Sequence, residues 1–123
     1  MESNPFKETK ENNPLNLVGS IIEIDDDIKK FGGVQKYVLL KNQKGFLFAT
    51  MPFHEHLQIR QQLEDRFEND LTNQGGGFLK FFEKEIVIGD SYSLKLGPLQ
   101  IPRNQLQKML QKEFGSTYSV DIE

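Results

Sequence analysis

The segment Tyr37-Val38-Leu39-Leu40 is the strongest constraint on the fold of this chain. It lies within a stretch of strand-forming residues, 35–41, and has no polar residue to offer solvent. A strand exposed on one face alternates apolar and polar side chains, whereas a run without alternation belongs in the middle of a sheet, covered on both faces. A central strand needs neighbours and covering layers, and the rest of the chain supplies candidates for both. Residues 18–24 read as a strand closed by the turn-forming run Asp25-Asp26-Asp27, and 46–49 return as a strand after the turn Asn42-Gln43-Lys44-Gly45. Residues 78–82 and 85–88 form a hairpin, 92–96 form a further strand, and 117–122 alternate as a last one.

Two helices are expected. Ile59, Leu63, Phe67 and Leu71 recur every four residues as one apolar stripe, and Pro52, after Thr50 and Met51, suits a helix start. Pro102 opens the second helix, Leu106, Met109, Leu110 and Phe114 form its buried side, and Gly115 closes it. The sum is an α+β fold: a single compact domain, a mixed sheet of about six strands with two helices packed on it. At 123 residues the chain is one domain's worth. Residues 1–16 are polar and lack apolar periodicity, which predicts a flexible tail ahead of a domain spanning 17–123.

Composition removes several classes of function. There is no cysteine, which excludes disulfide scaffolds, thiolate zinc sites and every cysteine-nucleophile enzyme. A net charge of −3 and a pI near 5.4 argue against nucleic acid as a partner, since a phosphate backbone asks for a basic face. No apolar run has the length of about 18 residues that a membrane span needs, and no basic-then-apolar leader is visible. The expectation is a monomer in the cytoplasm, and also in the nucleus.

Chemistry concentrates in four places. In 92–96, alternation sets Tyr92, Leu94 and Leu96 toward the core and brings Ser93 and Lys95 out side by side, either as a solvated face or as a hydroxyl and an ammonium aimed at one anion. Lys36 begins the central strand, either as a surface lysine or as a fixed cation that holds phosphate and depresses a neighbouring histidine's pKa. The two histidines, His54 and His56, are one residue apart. On a helix such neighbours diverge and no third ligand stands nearby, so no metal and no cofactor is expected. His56 falls within the apolar stripe and His54 outside it, so His56 reads as a hydrogen-bonded histidine at the core's edge or as a base. Gly75-Gly76-Gly77 is either a flexible turn or a place where backbone approaches a ligand. Lys44 and Lys80 are further candidate phosphate ligands, as is the backbone of Gly77.

In this order, the motifs resemble the Janus family, whose members include the small phosphohistidine phosphatases, with this chain as a diverged member. The resemblance runs from about Ile22 to the end. Gly33-Val34-Gln35-Lys36-Tyr37-Val38-Leu39 matches a Gly-Val/Ile-Phe-Lys-Tyr strand, and the histidine pair matches a His-Ala-Asp-Ile helix start. The glycine triplet is shared, and 92–97 matches Tyr-Ser-x-x-(aromatic)-Gly. The resemblance implies metal-free hydrolysis of phosphoramidates, a catalytic histidine, and a phosphate-holding lysine at Lys36. The apolar positions that follow the family's histidine at three, seven and eleven residues are Ile59, Leu63 and Phe67 counted from His56, which favours His56 over His54. Phe78 stands where the family has arginine after the triplet, and Leu96 where it has an aromatic. The expected activity is therefore that of a protein phosphohistidine phosphatase acting on a phosphohistidine- or phospholysine-containing protein. The alternative is an inactive module of the same fold that binds a phosphorylated or acidic partner.

Overall fold

The structure, a computed structural model, describes residues 17–67, 70–90 and 101–123. Among the described residues six strands form one mixed sheet: β1 (Leu17–Ile22), β2 (Gly33–Lys41), β3 (Phe46–Thr50), β4 (Thr72–Phe82), β5 (Glu85–Asp90) and β6 (Ser119–Ile122), in the spatial order β1-β3-β2-β4-β5-β6. β1 runs parallel to β3 and β6 parallel to β5, and the other pairs are antiparallel. Three helices accompany them: α1 (Asp26–Phe31), α2 (His56–Arg66) and α3 (Arg103–Phe114). The domain is α+β, as its sequence pattern predicts.

The uninterrupted apolar run of β2 is explained by two separate cores. Tyr37 and Leu39 point to one face, where they meet Phe48, Leu79, Ile88 and the Leu106, Met109 and Leu110 stripe of α3. Val38 and Leu40 point to the other, with Ile21, Leu47, Ala49 and the Ile59 and Leu63 stripe of α2. α3 and α2 thus cover opposite faces, with Ile28 of α1 packed on the α3 side, and β2 and β3 between them are buried on both. The crowding is tight under α2. A Cβ on Gly19 would lie 2.5 Å from ring atoms of Phe67 and 2.7 Å from Leu47 Cδ2. Gly19→Ala is therefore expected to destabilise the fold by about 1–3 kcal/mol, read as a lowered urea midpoint.

Four expectations need correction. The acidic run is not a plain turn. Asp25 caps α1, its carboxylate accepting from the Asp27 backbone N–H at 3.1 Å, and the acidic first turn and the Lys29/Lys30 last turn suit the helix dipole. The helix with the Ile59 stripe does not begin at Pro52. Met51 is still buried in the core, Phe53 takes a left-handed backbone (φ 63°), and α2 starts only at His56, after Glu55, whose backbone N–H donates to Gln58 Oε1 at 2.7 Å. Leu71 lies beyond α2, although it still packs on that face's core. The glycine triplet is not a turn either. It is the middle of β4, with Gly75, Gly76 and Gly77 opposite Leu39, Val38 and Tyr37. Gly75 sits where the register shifts, at φ 122°, a bulge conformation that other residues rarely adopt. The expected strand 92–96 and the tail 1–16 lie outside the described residues.

Candidate anion site at the start of β2

Past Tyr37, which pairs with Thr50, β3 ends and the chain turns away through Pro52 and Phe53. The first residues of β2 are left bordering a cavity of about 470 Å3, lined by Ile28 of α1, Val34, Gln35 and Lys36 of β2, the segment Pro52-Phe53-His54-Glu55, and Phe78 of β4. Strand pairing dictates part of this. Lys36 and Phe78 are direct cross-strand partners and so stand side by side on the face that α2 covers further along.

The wall is braced by a buried amide. Gln35 Nε2 donates to the Glu23 carbonyl at 2.7 Å and to Thr50 Oγ1 at 2.8 Å. The Thr50 hydroxyl donates in turn to the Lys36 carbonyl at 2.8 Å. With both donors committed, Gln35 Oε1 is a buried acceptor with no hydrogen-bond partner among the described residues.

His56 occupies the first position of α2 and is almost fully buried. Its Nε2 lies 2.9 Å from the Gly77 carbonyl oxygen. A carbonyl only accepts, so Nε2 carries the proton, and the neutral ring presents a lone pair at Nδ1. Nδ1 is buried and has no partner among the described residues, and His56 is not one of the residues that line the cavity; it sits behind Phe78 and Glu55, which do. Phe78 meets the ring edge-on, centroids 5.9 Å apart. Burial pushes the His56 pKa below its usual value of 6.5; the Gly77 carbonyl pulls it partly back, and the Lys36 ammonium lowers it further. The outcome is a neutral imidazole at pH 7, with its tautomer fixed by backbone and an ammonium within electrostatic reach.

Lys36 is not idle. Its Nζ pairs with the carboxylate of Glu55, and this hydrogen bond and charge hold the Glu55 carboxyl below its usual range. The lysine side chain is 27% exposed and that of Glu55 73%, so the carboxylate can swing into water at small cost. Replacing Glu55 with Gln is accordingly expected to tighten binding of inorganic phosphate, measured calorimetrically at low salt.

The remaining candidates divide cleanly. His54 lines the cavity, with Nδ1 2.7 Å from the Pro52 carbonyl, so Nδ1–H donates and Nε2 is the free nitrogen. Gly77 contributes its carbonyl to His56 and is part of the site's frame. Lys80 is two residues beyond Phe78 on the same face, but its Nζ is 3.2 Å from Glu123 Oε2 and it does not line the cavity. Lys44 lies past the far end of β2, beside a separate hollow of about 350 Å3 with Val18, Asn42, Arg66 and Phe67. The strand residues 37–41 separate that turn from Lys36 at the cavity, and one phosphoryl group cannot bridge them. Ser93 and Lys95 lie outside the described residues. Lys36 is therefore the cation that lines the cavity among the described residues.

Glu55 and Gln35 are the residues that sequence reasoning passed over. Glu55 had a signal: glutamate followed three residues later by glutamine resembles a capping pair and marks a helix start. Gln35 had none, since its role depends on where β3 ends. Among the described residues no three His, Asp or Glu side chains cluster as metal ligands, and no helix is long and apolar enough to cross a membrane. The chain matches no family model and no curated protein.

Proposed function

We propose that this chain hydrolyses phosphoramidate bonds, as a metal-independent phosphatase of phosphohistidine- or phospholysine-containing proteins in the cytoplasm. The observation that carries the reading is the state of His56: Nε2–H held by the Gly77 carbonyl, Nδ1 unpartnered, and the ring neutral at pH 7 within electrostatic reach of the Lys36 ammonium. The Lys36 ammonium neutralises the phosphoryl oxygens once Glu55 releases it. His56 Nδ1, or Nε2 of the cavity-lining His54, then takes a proton from an in-line water, or attacks phosphorus itself, as the P–N bond breaks and the protonated nitrogen leaves. The P–N bond is labile when its nitrogen is protonated, so orientation and charge neutralisation supply much of the rate. The sequence resemblance adds Ser93 to the phosphate-holding set, and the alternation of 92–96 in the sequence adds Lys95.

A second reading has its own support. Phe78, in place of a guanidinium, and Glu55, paired to Lys36, both weaken the site for turnover while leaving it able to hold an anion. On that reading the chain is a non-catalytic module for a phosphorylated or acidic partner. Phosphate release from phosphoramidate and from a phosphohistidine-bearing protein, measured in EDTA, separates the two. Turnover that depends on a histidine supports the enzyme. Phosphate binding that needs Lys36, without turnover, selects the module. Inertness in both assays rejects both readings.

A further inference from the structure

Six large apolar side chains are exposed among the described residues, and four of them, Phe31, Val34, Phe53 and Phe82, border one region. Val34 and Phe53 line the cavity that holds Lys36. Val34 pairs across the sheet with Lys80, and Phe82 follows two residues later on the same face. The Phe82 ring reaches back to Gly32, its Cδ1 3.3 Å from where a Cβ on that residue would sit, and Phe31 is the residue before. The four form an apolar collar on one side of the anion site, interrupted by Lys80, which stands opposite Val34.

Phe53 is the most informative of them. It is 90% exposed and its backbone is left-handed, at φ 63°. A bulky residue in that conformation carries strain of about 1–3 kcal/mol, and the exposed ring recovers none of it by packing within the fold. The cavity volume points the same way. About 470 Å3 falls in the range of roughly 300–1,000 Å3 that receives a drug-sized ligand. A phosphoryl group alone leaves most of it unfilled. Charge completes the description, because Lys29 and Lys30 end α1 beside Phe31, with the Lys30 Nζ 5.3 Å from the Phe31 ring.

We infer that the collar docks a polypeptide segment in which apolar side chains flank the phosphorylated residue, so that the residues on either side of the phosphoryl group set which segments bind. The inference rests on reading Lys36 as an anion site. The apolar flanks cover Phe31, Val34, Phe53 and Phe82, the phosphoryl group enters beside Lys36, and the α1 lysines match the added negative charge. Exposed apolar patches rimmed by polar groups have this role on other surfaces, and burial of one or two such side chains is worth about tenfold in affinity.

The test uses the full chain and two fluorescein-labelled peptides, each carrying a stable phosphonate mimic of phosphohistidine. One has Leu and Phe as flanking residues and the other Ser and Gly. By fluorescence anisotropy the apolar-flanked peptide is expected to bind about tenfold more tightly, and inorganic phosphate is expected to displace both. In the Phe31→Ser/Phe82→Ser double variant, both peptides should bind with the affinity of the Ser/Gly-flanked one. Equal affinities in the wild-type protein, or a preference that survives the double variant, overturn the docking surface and leave the anion site standing. Failure of both peptides and of phosphate to bind overturns the anion site itself. A dimer in sedimentation that the double variant dissolves assigns the collar to a second copy instead. Phe82-dependent binding to anionic lipid vesicles assigns it to a membrane.

Discussion

Replacing His56 with Asn is expected to lower phosphohistidine hydrolysis by about 10²–10⁴-fold, the usual worth of a positioned general base or nucleophile. Asn has no basic nitrogen to stand where Nδ1 does, and the ring's hydrogen bond to the Gly77 carbonyl is what orients that nitrogen. The fold pays a smaller cost, about 1–3 kcal/mol, if the buried carbonyl loses its side-chain donor. A melting curve taken alongside the assay separates lost chemistry from lost structure. If the loss of rate falls on His54→Asn instead, the base is His54, acting through the nitrogen that Pro52 leaves free.

The same residue predicts two pH effects of defined sign. The folded-state pKa of His56 is lowered below 6.5. Between the two values the unfolded chain therefore binds more protons than the folded one, and stability rises with pH. The contribution is complete above about pH 6.5 and is lost as pH falls through the folded value. A non-titrating His56→Gln variant should lose less stability than wild type on acidification from pH 7.5 to 5.5, followed by urea midpoints. For a base that works neutral, hydrolysis should hold its plateau below pH 6.5 before falling. A rate that rises through pH 6.5 as for an ordinary surface histidine would remove burial from the account.

Phe48→Ala is expected to cost about 3–5 kcal/mol, a large share of the roughly 5–15 kcal/mol by which a domain is stable. Phe48 is fully buried in the middle of β3, a strand with no exposed residue, and it stacks on Tyr37 with ring centroids 5.4 Å apart. β3 is hydrogen-bonded on both sides, to β1 and β2, so the lining of the cavity left behind cannot collapse by a simple shift of one edge. Phe82→Ala, by contrast, removes a ring that is mostly in water and should change the stability by no more than about 0.5 kcal/mol, read from urea unfolding. Equal effects at the two phenylalanines would contradict the burial pattern on which the architecture rests.

What could be read without coordinates was whatever depends on local period. The centre of β2, the Leu106–Leu110 face of α3 with Pro102 and Gly115 at its ends, and the Ile59/Leu63 stripe of α2 follow from spacing alone, because burial repeats with the backbone's own geometry. Boundaries were less legible where two signals competed. Pro52 suits a helix start, yet the helix waits for Glu55 and Gln58. A glycine triplet suits a turn, yet β2 supplies a partner for each of its residues, and ladder hydrogen bonds outweigh weak intrinsic propensity.

The site divides the same way. The amino-acid order alone placed an ammonium at the start of a central strand and an imidazole on the apolar stripe of a helix, because each position is set by its own element. It could not say what those groups would touch. The Lys36–Glu55 pair, the Gly77 carbonyl under His56 and the idle lone pairs at Nδ1 and Gln35 Oε1 were decided only when β4 paired with β2 and α2 packed across them. The two pairs join residues 19 and 21 positions apart. Periodicity carries no information over that distance, since the meeting of two elements is fixed by sheet order and register rather than by the residues that happen to meet.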